Sequence, residues 1–265
     1  MTRIFDALKK AEASRPHAPH PASVTPLPAP VTHPAGGARA MPHPRGAAEG
    51  WHVPQPLHGA VPMTEDVSRE MSTLRVSLES ALPERQPRIV MFDGPQGGEG
   101  ATTVALQFAQ VLARDPAIRP LVVEAHVRRP AFHADPAHHG AVLDPRLAAG
   151  EPAAGATANL LVLPAPEEAR RLGMLQPVVL RDMLDSAGAG FDWVILDGPP
   201  VLDSPDATAL ATLADAVVVV LHAGHSKRPV ATRAVELLRK AGARVAGSVL
   251  NRRVHEIPEF IYRRL

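Results

Sequence analysis

Short, wholly apolar runs alternate along the chain with stretches whose apolar residues recur at helical spacing. The apolar runs predict buried strands at 88–92, 121–124, 160–163, 193–196, 216–221 and 245–250. The spaced stretches predict helices at 102–114, 175–186, 206–213 and 230–241. Continuous apolar strands that alternate with amphipathic helices indicate a parallel sheet covered on both faces. The pattern therefore predicts an α/β fold with three layers and a mostly parallel sheet.

The pattern is different before residue 64. A short amphipathic helix is predicted within residues 1–14 from the apolar residues that share one helical face, Ile4, Phe5, Leu8 and Ala11. Pro, His, Ala and Gly dominate the next segment, which offers too little large apolar surface to offset the entropy of ordering the chain. Residues 15–63 are therefore predicted to be a disordered linker. Its histidines allow a metal-binding tract, but their irregular spacing between prolines favours a solvated linker.

The predicted folded domain covers residues 64–265. Thr64 is a suitable first residue for a helix, and an apolar stripe from Val67 to Leu82 follows it. Residues 131–158 are rich in loop-forming residues and receive no assignment. Hydrophobic residues make up 45% of the chain but aromatic residues only 3%, so the core must be built from Ala, Val and Leu.

Composition excludes several kinds of protein. The chain has no cysteine, which excludes disulfides, cysteine-based zinc sites and thiol catalysis. With 28 basic and 27 acidic residues, its charge does not favour binding to nucleic acid. No apolar run reaches the roughly 18–20 residues that a membrane span needs, and the N-terminus does not resemble a signal peptide. We expect a cytoplasmic protein that reaches a membrane only through a partner.

A glycine-rich loop follows the first strand of the predicted domain and precedes a helix. Such a loop directs backbone N–H groups toward an anion, and the helix dipole adds to the attraction. The residues expected to hold a nucleotide there are Gly97, Gly98, Glu99, Gly100, Ala101, Thr102 and Thr103. Thr102 occupies the hydroxyl position of the phosphate-loop motif, but Ala101 occupies the position of its lysine. The alternative is a glycine-rich turn without a ligand.

The octet from Gln96 to Thr103 resembles the loop of the septum-site and plasmid-partitioning ATPases, in which two lysines are present. Both are absent here, since the lysines of this chain are Lys9, Lys10, Lys227 and Lys240. A charge-assisted hydrogen bond contributes about 1.5–3 kcal/mol, so nucleotide binding should be weakened by about ten- to a hundredfold. Phosphoryl transfer depends on charge stabilisation, so turnover should suffer more.

The order of motifs resembles the bacterial tyrosine kinases, or BY-kinases, of capsule and exopolysaccharide operons. The resemblance covers residues 1–14 and about 65–265, and it is carried by RIFDALKKAE, the glycine loop, FDWVILDGPPVLDSPDA and ADAVVVVLHAG with VLNRR. It implies a P-loop NTPase-like fold. In that family two aspartates occupy the positions of Glu124 and His126, and Asp197 occupies the Walker B position. The resemblance therefore implies Glu124, His126 and Asp197 as the catalytic positions.

The resemblance also implies a nucleotide and magnesium site. Thr102 and Asp197 would hold Mg²⁺, whereas His126 is a poor ligand for a cation that prefers oxygen. Asn251 lies where related ATPases read the adenine, although a plain polar residue at a strand end is the alternative. ATP or ADP and Mg²⁺ are therefore expected to bind weakly, and the fold is not expected to require them.

Two further positions concern assembly and phosphorylation. The Glu-x-x-Arg-x-x-Arg helix by which family members form rings aligns with Arg69, Ser72 and Arg75, so only Arg75 remains as a candidate contact for self-association. Active family members end in a tyrosine cluster that is autophosphorylated. This chain has one tyrosine, Tyr262, which is a candidate phosphoacceptor or part of a docking segment.

Losses at the catalytic positions, with retention of the glycines and strands, predict a kinase-like pseudoenzyme that regulates exopolysaccharide or capsule synthesis or export. The resemblance implies a membrane chain-length regulator, or co-polymerase, as the partner, and a peripheral location at the inner membrane. The first alternative is a weakly active tyrosine autokinase in which an arginine such as Arg128 replaces the lysine charge. A partitioning-type ATPase is the second, and the loss of both loop lysines argues against it.

Overall fold

The computed structural model describes residues 55–84, 86–135, 140–144, 146–147, 159–187 and 190–253. Its strands are β1 Gln55–His58, β2 Arg88–Asp93, β3 Pro120–Glu124, β4 Phe132–Asp135, β5 Gly140–Leu143, β6 Leu161–Leu163, β7 Trp193–Asp197, β8 Ala216–His222 and β9 Val245–Asn251. Its helices are α1 Glu65–Ala81, α2 Ala101–Ala113, α3 Glu167–Leu172, α4 Pro177–Ala187, α5 Ala207–Ala211 and α6 Arg228–Lys240.

The strands form one sheet in the order β4-β5-β1-β6-β3-β7-β2-β8-β9. Within the part of the sheet that runs β6-β3-β7-β2-β8-β9, all neighbouring strands are parallel, and β1 is parallel to β5. The pairs β4–β5 and β1–β6 are antiparallel. The central strands β2, β3 and β7 carry continuous apolar runs because both of their faces are buried. The predicted α/β fold with a mostly parallel sheet is confirmed.

Helices cover both faces of the sheet. α1 and α2 pack on one face, where the ring of Phe108 lies 5.4 Å from that of Phe92 and 5.6 Å from that of Trp193. α4, α5 and α6 pack on the other face through side chains that include Leu180, Leu210 and Leu238. The three-layer arrangement is also confirmed. None of the helices that the structure describes is long and apolar enough to span a membrane.

The predicted boundary between linker and domain is wrong. β1 lies inside the segment assigned to the linker, and its Leu57 and nearby Val61 are buried in the core. The sequence signal is weak because these aliphatic residues are isolated among Pro and His. The strand instead gains its order by pairing with β5 and β6 on its two sides. The N-terminal helix and the rest of the predicted linker lie outside the described residues.

The direction of β1 shows at which end of the sheet its first residue lies. β1 is antiparallel to β6, and β6 is parallel to β3. Gln55 therefore lies at the edge of the sheet where the central strands end, and β9 also ends at that edge. The glycine-rich loop follows β2 at the same edge.

Candidate nucleotide site

Residues 94–100 connect β2 to α2 with a backbone that depends on glycine. Gly98 and Gly100 have φ angles of 96° and 87°, in the left-handed region that favours glycine. A Cβ atom at Gly100 would also overlap the side-chain amide of Asn251. α2 begins at Ala101, and the first N–H groups of a helix have no intrahelical acceptor. The loop thus has the construction of an anion cradle.

A cavity of about 250 Å³ opens over this loop. Its lining combines the loop and the start of α2 with groups from other elements: Gly94, Gln96, Gly97, Gly98, Glu99, Gly100, Ala101, Thr102, Thr103, His126, Arg129, Pro130, Arg146, Leu147, Gly198, Pro200 and Arg252. The predicted loop residues and His126 are therefore brought together. Drug-sized ligands usually occupy roughly 300–1,000 Å³, so the cavity suits phosphate groups better than a whole nucleotide.

Two predicted ligand residues are engaged within the protein. The Glu99 side chain is buried and accepts hydrogen bonds from the backbone N–H of His222 at 2.6 Å and from the Ser226 hydroxyl. The Asn251 amide donates to the Glu99 carbonyl at 3.0 Å, and its oxygen accepts from the Arg252 N–H at 2.8 Å. Asn251 therefore holds the loop, and both of its polar groups already have partners. These contacts do not favour the prediction that Asn251 reads adenine.

One backbone N–H group of the cradle already donates a hydrogen bond to a carboxylate of the protein. The backbone N–H of Gly97 donates to Oδ2 of Asp203 at 2.8 Å. Asp203 is exposed on the loop that follows β7. A phosphate group that used the Gly97 N–H would have to displace this carboxylate.

Asp197 ends β7 beside the first turn of α2. Its side chain is buried, and its pKa is raised to about 8, chiefly by burial and also by the Glu124 charge, while the nearby Thr102 hydroxyl opposes the rise. Among the described residues, neither Asp197 oxygen has a hydrogen-bond partner. A buried carboxylate and a hydroxyl are oxygen donors of the kind that Mg²⁺ prefers. Thr102 and Asp197 are the residues that would hold this ion.

Asp93 is a buried carboxyl group that the sequence interpretation missed. It ends β2 immediately before the loop, is fully buried, and has no hydrogen-bond partner among the described residues. Burial raises its pKa well above the ordinary value. The available signal was an acidic residue that closes an otherwise apolar strand directly before a phosphate loop.

The buried carboxyls should make stability depend on pH. A carboxyl whose pKa is higher in the folded state than in the unfolded state binds its proton more tightly when folded, so stability falls as pH rises between the two values. For Asp197 this interval runs from about 4 to about 8, and the Asp93 pKa shifts in the same direction. Stability of the ligand-free protein should therefore fall across this interval, and less steeply in Asp93→Asn.

Urea unfolding of the wild type and Asp93→Asn between about pH 5 and pH 8 measures these slopes. The pKa of His126 is lowered, so below its ordinary value near 6.5 the titration of His126 makes stability rise with pH. The slopes of the wild type and Asp93→Asn must therefore be compared at matched pH. Asp66→Asn, at an exposed position of α1, is the control and should keep the wild-type slope. Equal slopes for the wild type and Asp93→Asn would contradict a raised pKa at Asp93.

Glu124 is placed in a structural network. Its side chain is fully buried; Oε1 accepts from the N–H groups of Ala131 at 2.6 Å and Phe132 at 3.2 Å. Oε2 accepts from the Ala165 N–H at 3.1 Å and from Nη2 of Arg170 at 2.6 Å. A carboxylate offers about four acceptor positions, and four donors are present. These contacts give Glu124 a structural role and leave it no free position for a metal or a proton, contrary to its predicted catalytic role.

His126 lines the cavity but carries no charge at neutral pH. Its pKa is lowered to about 4, chiefly by burial and also by the positive charges of Arg129 and Arg128, while Asp206 opposes the shift. A neutral imidazole does not stabilise phosphate charge, and its nitrogen is a poor ligand for Mg²⁺. The aspartate function that the family has at this position is therefore not reproduced by charge or by ligand type.

Arg75 and Arg128 do not line the cavity. Arg75 donates to Glu79 at 2.8 Å and lies 3.6 Å from Asp115, so it forms ion pairs within the chain; its contact with another copy stays a prediction. Tyr262 lies outside the described residues. Arg128 donates to the Gly173 carbonyl at 2.8 Å and to the Asp203 carbonyl at 3.4 Å.

Arginines that the sequence did not single out line the cavity instead of Arg128. They are Arg129, Arg146 and Arg252. Their positions could not be read from one motif, because they follow β3, β5 and β9, which are distant in the chain.

Comparison with curated proteins finds several tyrosine-protein kinases. The chain is 26% identical to the tyrosine-protein kinase YwqD of Bacillus subtilis over 203 residues, which cover 69% of this chain and 80% of that protein. It is 32% identical over 79 residues to the tyrosine-protein kinase CpsD of Streptococcus agalactiae, covering 30% of this chain and 34% of CpsD. The putative tyrosine-protein kinase EpsB of Ralstonia nicotianae is 27% identical over 68% of this chain, which spans only 25% of EpsB.

Solved structures with the same fold include kinase domains. The kinase domain of Escherichia coli tyrosine kinase ETK matches with a TM-score of 0.55 at 18% identity, over 77% of this chain and 94% of that domain. The chimerical protein CapA2B2 matches with a TM-score of 0.54 at 17% identity, over 76% of this chain and 96% of that one. No family model matches the sequence. The resemblance to the bacterial tyrosine kinases that the motifs indicated is thereby confirmed.

Proposed function

We propose that this chain is a kinase-like protein that is impaired in catalysis and acts as a regulator or partner in bacterial exopolysaccharide or capsule synthesis or export. The observation that carries the proposal is the engagement of Glu124, whose carboxylate is filled by donors of the protein itself. Phosphoryl transfer relies on positioning and on stabilising charge. A carboxylate that is fixed in this way serves the fold instead.

The rest of the site supports the same proposal. Ala101 provides no cation at the position of the phosphate-loop lysine, and His126 is neutral at physiological pH. The loop nevertheless keeps its left-handed glycines and its position at the start of a helix. Binding requires this backbone, whereas turnover also requires the missing charges. We therefore expect weak binding of ATP or ADP, with Mg²⁺ at Thr102 and Asp197, and little or no chemistry.

The proposed setting comes from the relatives. Curated proteins that resemble this chain are named tyrosine-protein kinases, and its motifs resemble those of kinases from polysaccharide operons. The proposed partner is a membrane chain-length regulator or co-polymerase, and binding to it would bring a cytoplasmic protein to the inner membrane. Self-association through Arg75 is a further proposal.

A weakly active tyrosine autokinase is the second candidate. The arginines that line the cavity favour it, because guanidinium groups can stabilise charge that develops on a transferring phosphoryl group. Tyr262 would be the acceptor.

The two candidates predict different outcomes when the purified protein is incubated with Mg²⁺ and ATP. The impaired protein should form no phosphotyrosine, while calorimetry should detect weak nucleotide binding. Mass spectrometry and antibody detection of phosphotyrosine make the first measurement, with Tyr262→Phe as the matched control. Phosphotyrosine that accumulates in the wild type and is absent from Tyr262→Phe would establish the autokinase instead.

A further inference from the structure

The cations of the phosphate cradle come from three separate parts of the chain. Arg129 follows β3, Arg146 follows β5 and Arg252 follows β9, and all of them line the cavity over the loop. Among the described residues that line this cavity there is no lysine. Arginine presents a planar set of donors that matches phosphate geometry and keeps its charge at any physiological pH.

Arg146 is held in place by Asp144. Its Nε donates to Oδ1 of Asp144 at 2.8 Å and its Nη2 donates to Oδ2 at 2.6 Å. Asp144 is buried, also accepts from the Arg146 backbone N–H at 2.8 Å, and contacts His133 at 3.1 Å. These bonds keep the Asp144 pKa well below its ordinary value, with the Arg146 side chain as the largest cause. The carboxylate is therefore always present to hold the guanidinium.

The pair with Asp144 uses only one edge of the Arg146 guanidinium. Nη1 and the second hydrogen of Nη2 have no acceptor among the described residues. The Arg146 side chain is 65% exposed, so this free edge is accessible. A purely structural role, in which Arg146 only bonds to Asp144, would explain the orientation of one edge of the guanidinium. It would not explain why the side chain also lines the phosphate cavity.

The other two arginines add charge that has no partner among the described residues. The side chains of Arg129 and Arg252 form no hydrogen bond or ion pair with the residues that the structure describes. The charge of Arg129 acts within the cavity, because it lowers the pKa of the neighbouring His126. Arg252 has a φ angle of 54°, a conformation that is unfavourable for a residue with a side chain. Such backbone conformations concentrate at ligand-binding sites.

We propose that Arg129, Arg146 and Arg252 together replace the missing loop lysines and bind the phosphate groups of a nucleoside di- or triphosphate, with Asp144 as the positioning residue for Arg146. The inference rests on the proposal that the loop still binds nucleotide. It adds that the positive charge that binds phosphate comes from residues after β3, β5 and β9 instead of from the loop.

Calorimetric titration of the full-length protein tests this assignment, with ADP and inorganic pyrophosphate as separate probes. ADP binding to Arg146→Ala should weaken by about ten- to a hundredfold, the effect of losing one charge-assisted contact. Arg146→Lys should restore only part of the affinity, since an ammonium cannot hold Asp144 and a phosphate group with two parallel bonds each. Arg69→Ala, which removes an exposed arginine of α1, should bind like the wild type.

Asp144→Asn tests positioning separately from folding. It should weaken ADP binding in the wild type but have little further effect in Arg146→Ala, because both changes remove the same oriented guanidinium. Binding of ADP that is much tighter than binding of pyrophosphate would identify a nucleotide as the ligand, and equal binding would identify the phosphate groups alone; either result supports the arginine site. Unchanged ADP affinity in Arg129→Ala and Arg146→Ala, or no binding of either probe to the wild type, would overturn it.

The outcome is distinguishable from that of the proposed function. If nucleotide binds regardless of the arginines and no phosphotyrosine forms, the impaired kinase-like function stands and the arginine site falls. If binding depends on the arginines and phosphotyrosine accumulates on Tyr262, the arginine site stands and the autokinase replaces the impaired protein.

Discussion

Glu124→Ala should destabilise the folded protein by about 3–5 kcal/mol, as expected when one partner of a buried ion pair is removed. The change would leave Arg170, whose side chain is 21% exposed, without its carboxylate. It would also remove the acceptor of the backbone N–H groups of Ala131, Phe132 and Ala165. For a domain of this size the melting temperature should fall by roughly 6–20 °C. Calorimetric or circular-dichroism melting measures the loss.

A matched control is available on α3. Glu168 is 74% exposed and lies 4.0 Å from Arg171, so Glu168→Ala should change stability by less than about 1 kcal/mol. Glu124→Asp is the informative second variant: the shorter carboxylate should fail to reach all four donors and should also destabilise. A Glu124→Asp protein as stable as the wild type that gains tyrosine phosphorylation would show that Glu124 belongs to the catalytic machinery.

Ala101→Lys should strengthen ATP binding by about ten- to a hundredfold. Ala101 is the first residue of α2 and lines the cavity, so a lysine there would bring an ammonium toward the phosphate groups. One charge-assisted contact contributes about 1.5–3 kcal/mol. Turnover should recover little, because Glu124 remains engaged and His126 remains neutral. Calorimetry with ATP measures the gain, and phosphotyrosine detection measures the chemistry.

The control for this prediction is a lysine at an exposed position of another helix. Val76→Lys on α1 adds the same charge to the chain at a side chain that is 65% exposed and away from the cavity. ATP affinity should not change in that variant. Equal affinities of Ala101→Lys and wild type would mean that the loop does not place phosphate groups beside residue 101.

The central part of the sheet could be predicted because its strands are buried on both faces. Their continuous apolar runs, such as the one that ends at Asp197, are distinctive in sequence. The outer part lacks that signal. β1 contributes few apolar side chains and is ordered by pairing with β5 and β6, which no local pattern reveals. β4 and β5 likewise fall in the segment 131–158, which received no assignment.

The candidate site likewise has residues whose positions the sequence could predict and residues whose positions it could not. The loop and Asp197 follow from motifs because each is encoded by a contiguous stretch of sequence at the end of an apolar strand. The direction of the Glu124 side chain does not follow, since its donors come from residues 131, 132, 165 and 170. The same is true of Arg146, whose place at the cavity depends on the unpredicted β5 and on the buried Asp144. Side-chain contacts between distant segments are what the sequence interpretation lacked.

The position of β9 limits how far Tyr262 can lie from the cradle. β9 ends at the same end of the sheet as the glycine-rich loop, and Arg252, directly after it, lines the cavity. Tyr262 is nine positions beyond Arg253, so at most about 30 Å can separate the two residues, a distance comparable to the width of a small domain. Roughly this distance is therefore the most that can separate Tyr262 from the cradle of its own molecule. Phosphorylation of Tyr262 by its own molecule should be first order in protein and insensitive to dilution, whereas phosphorylation by a second copy should slow on dilution.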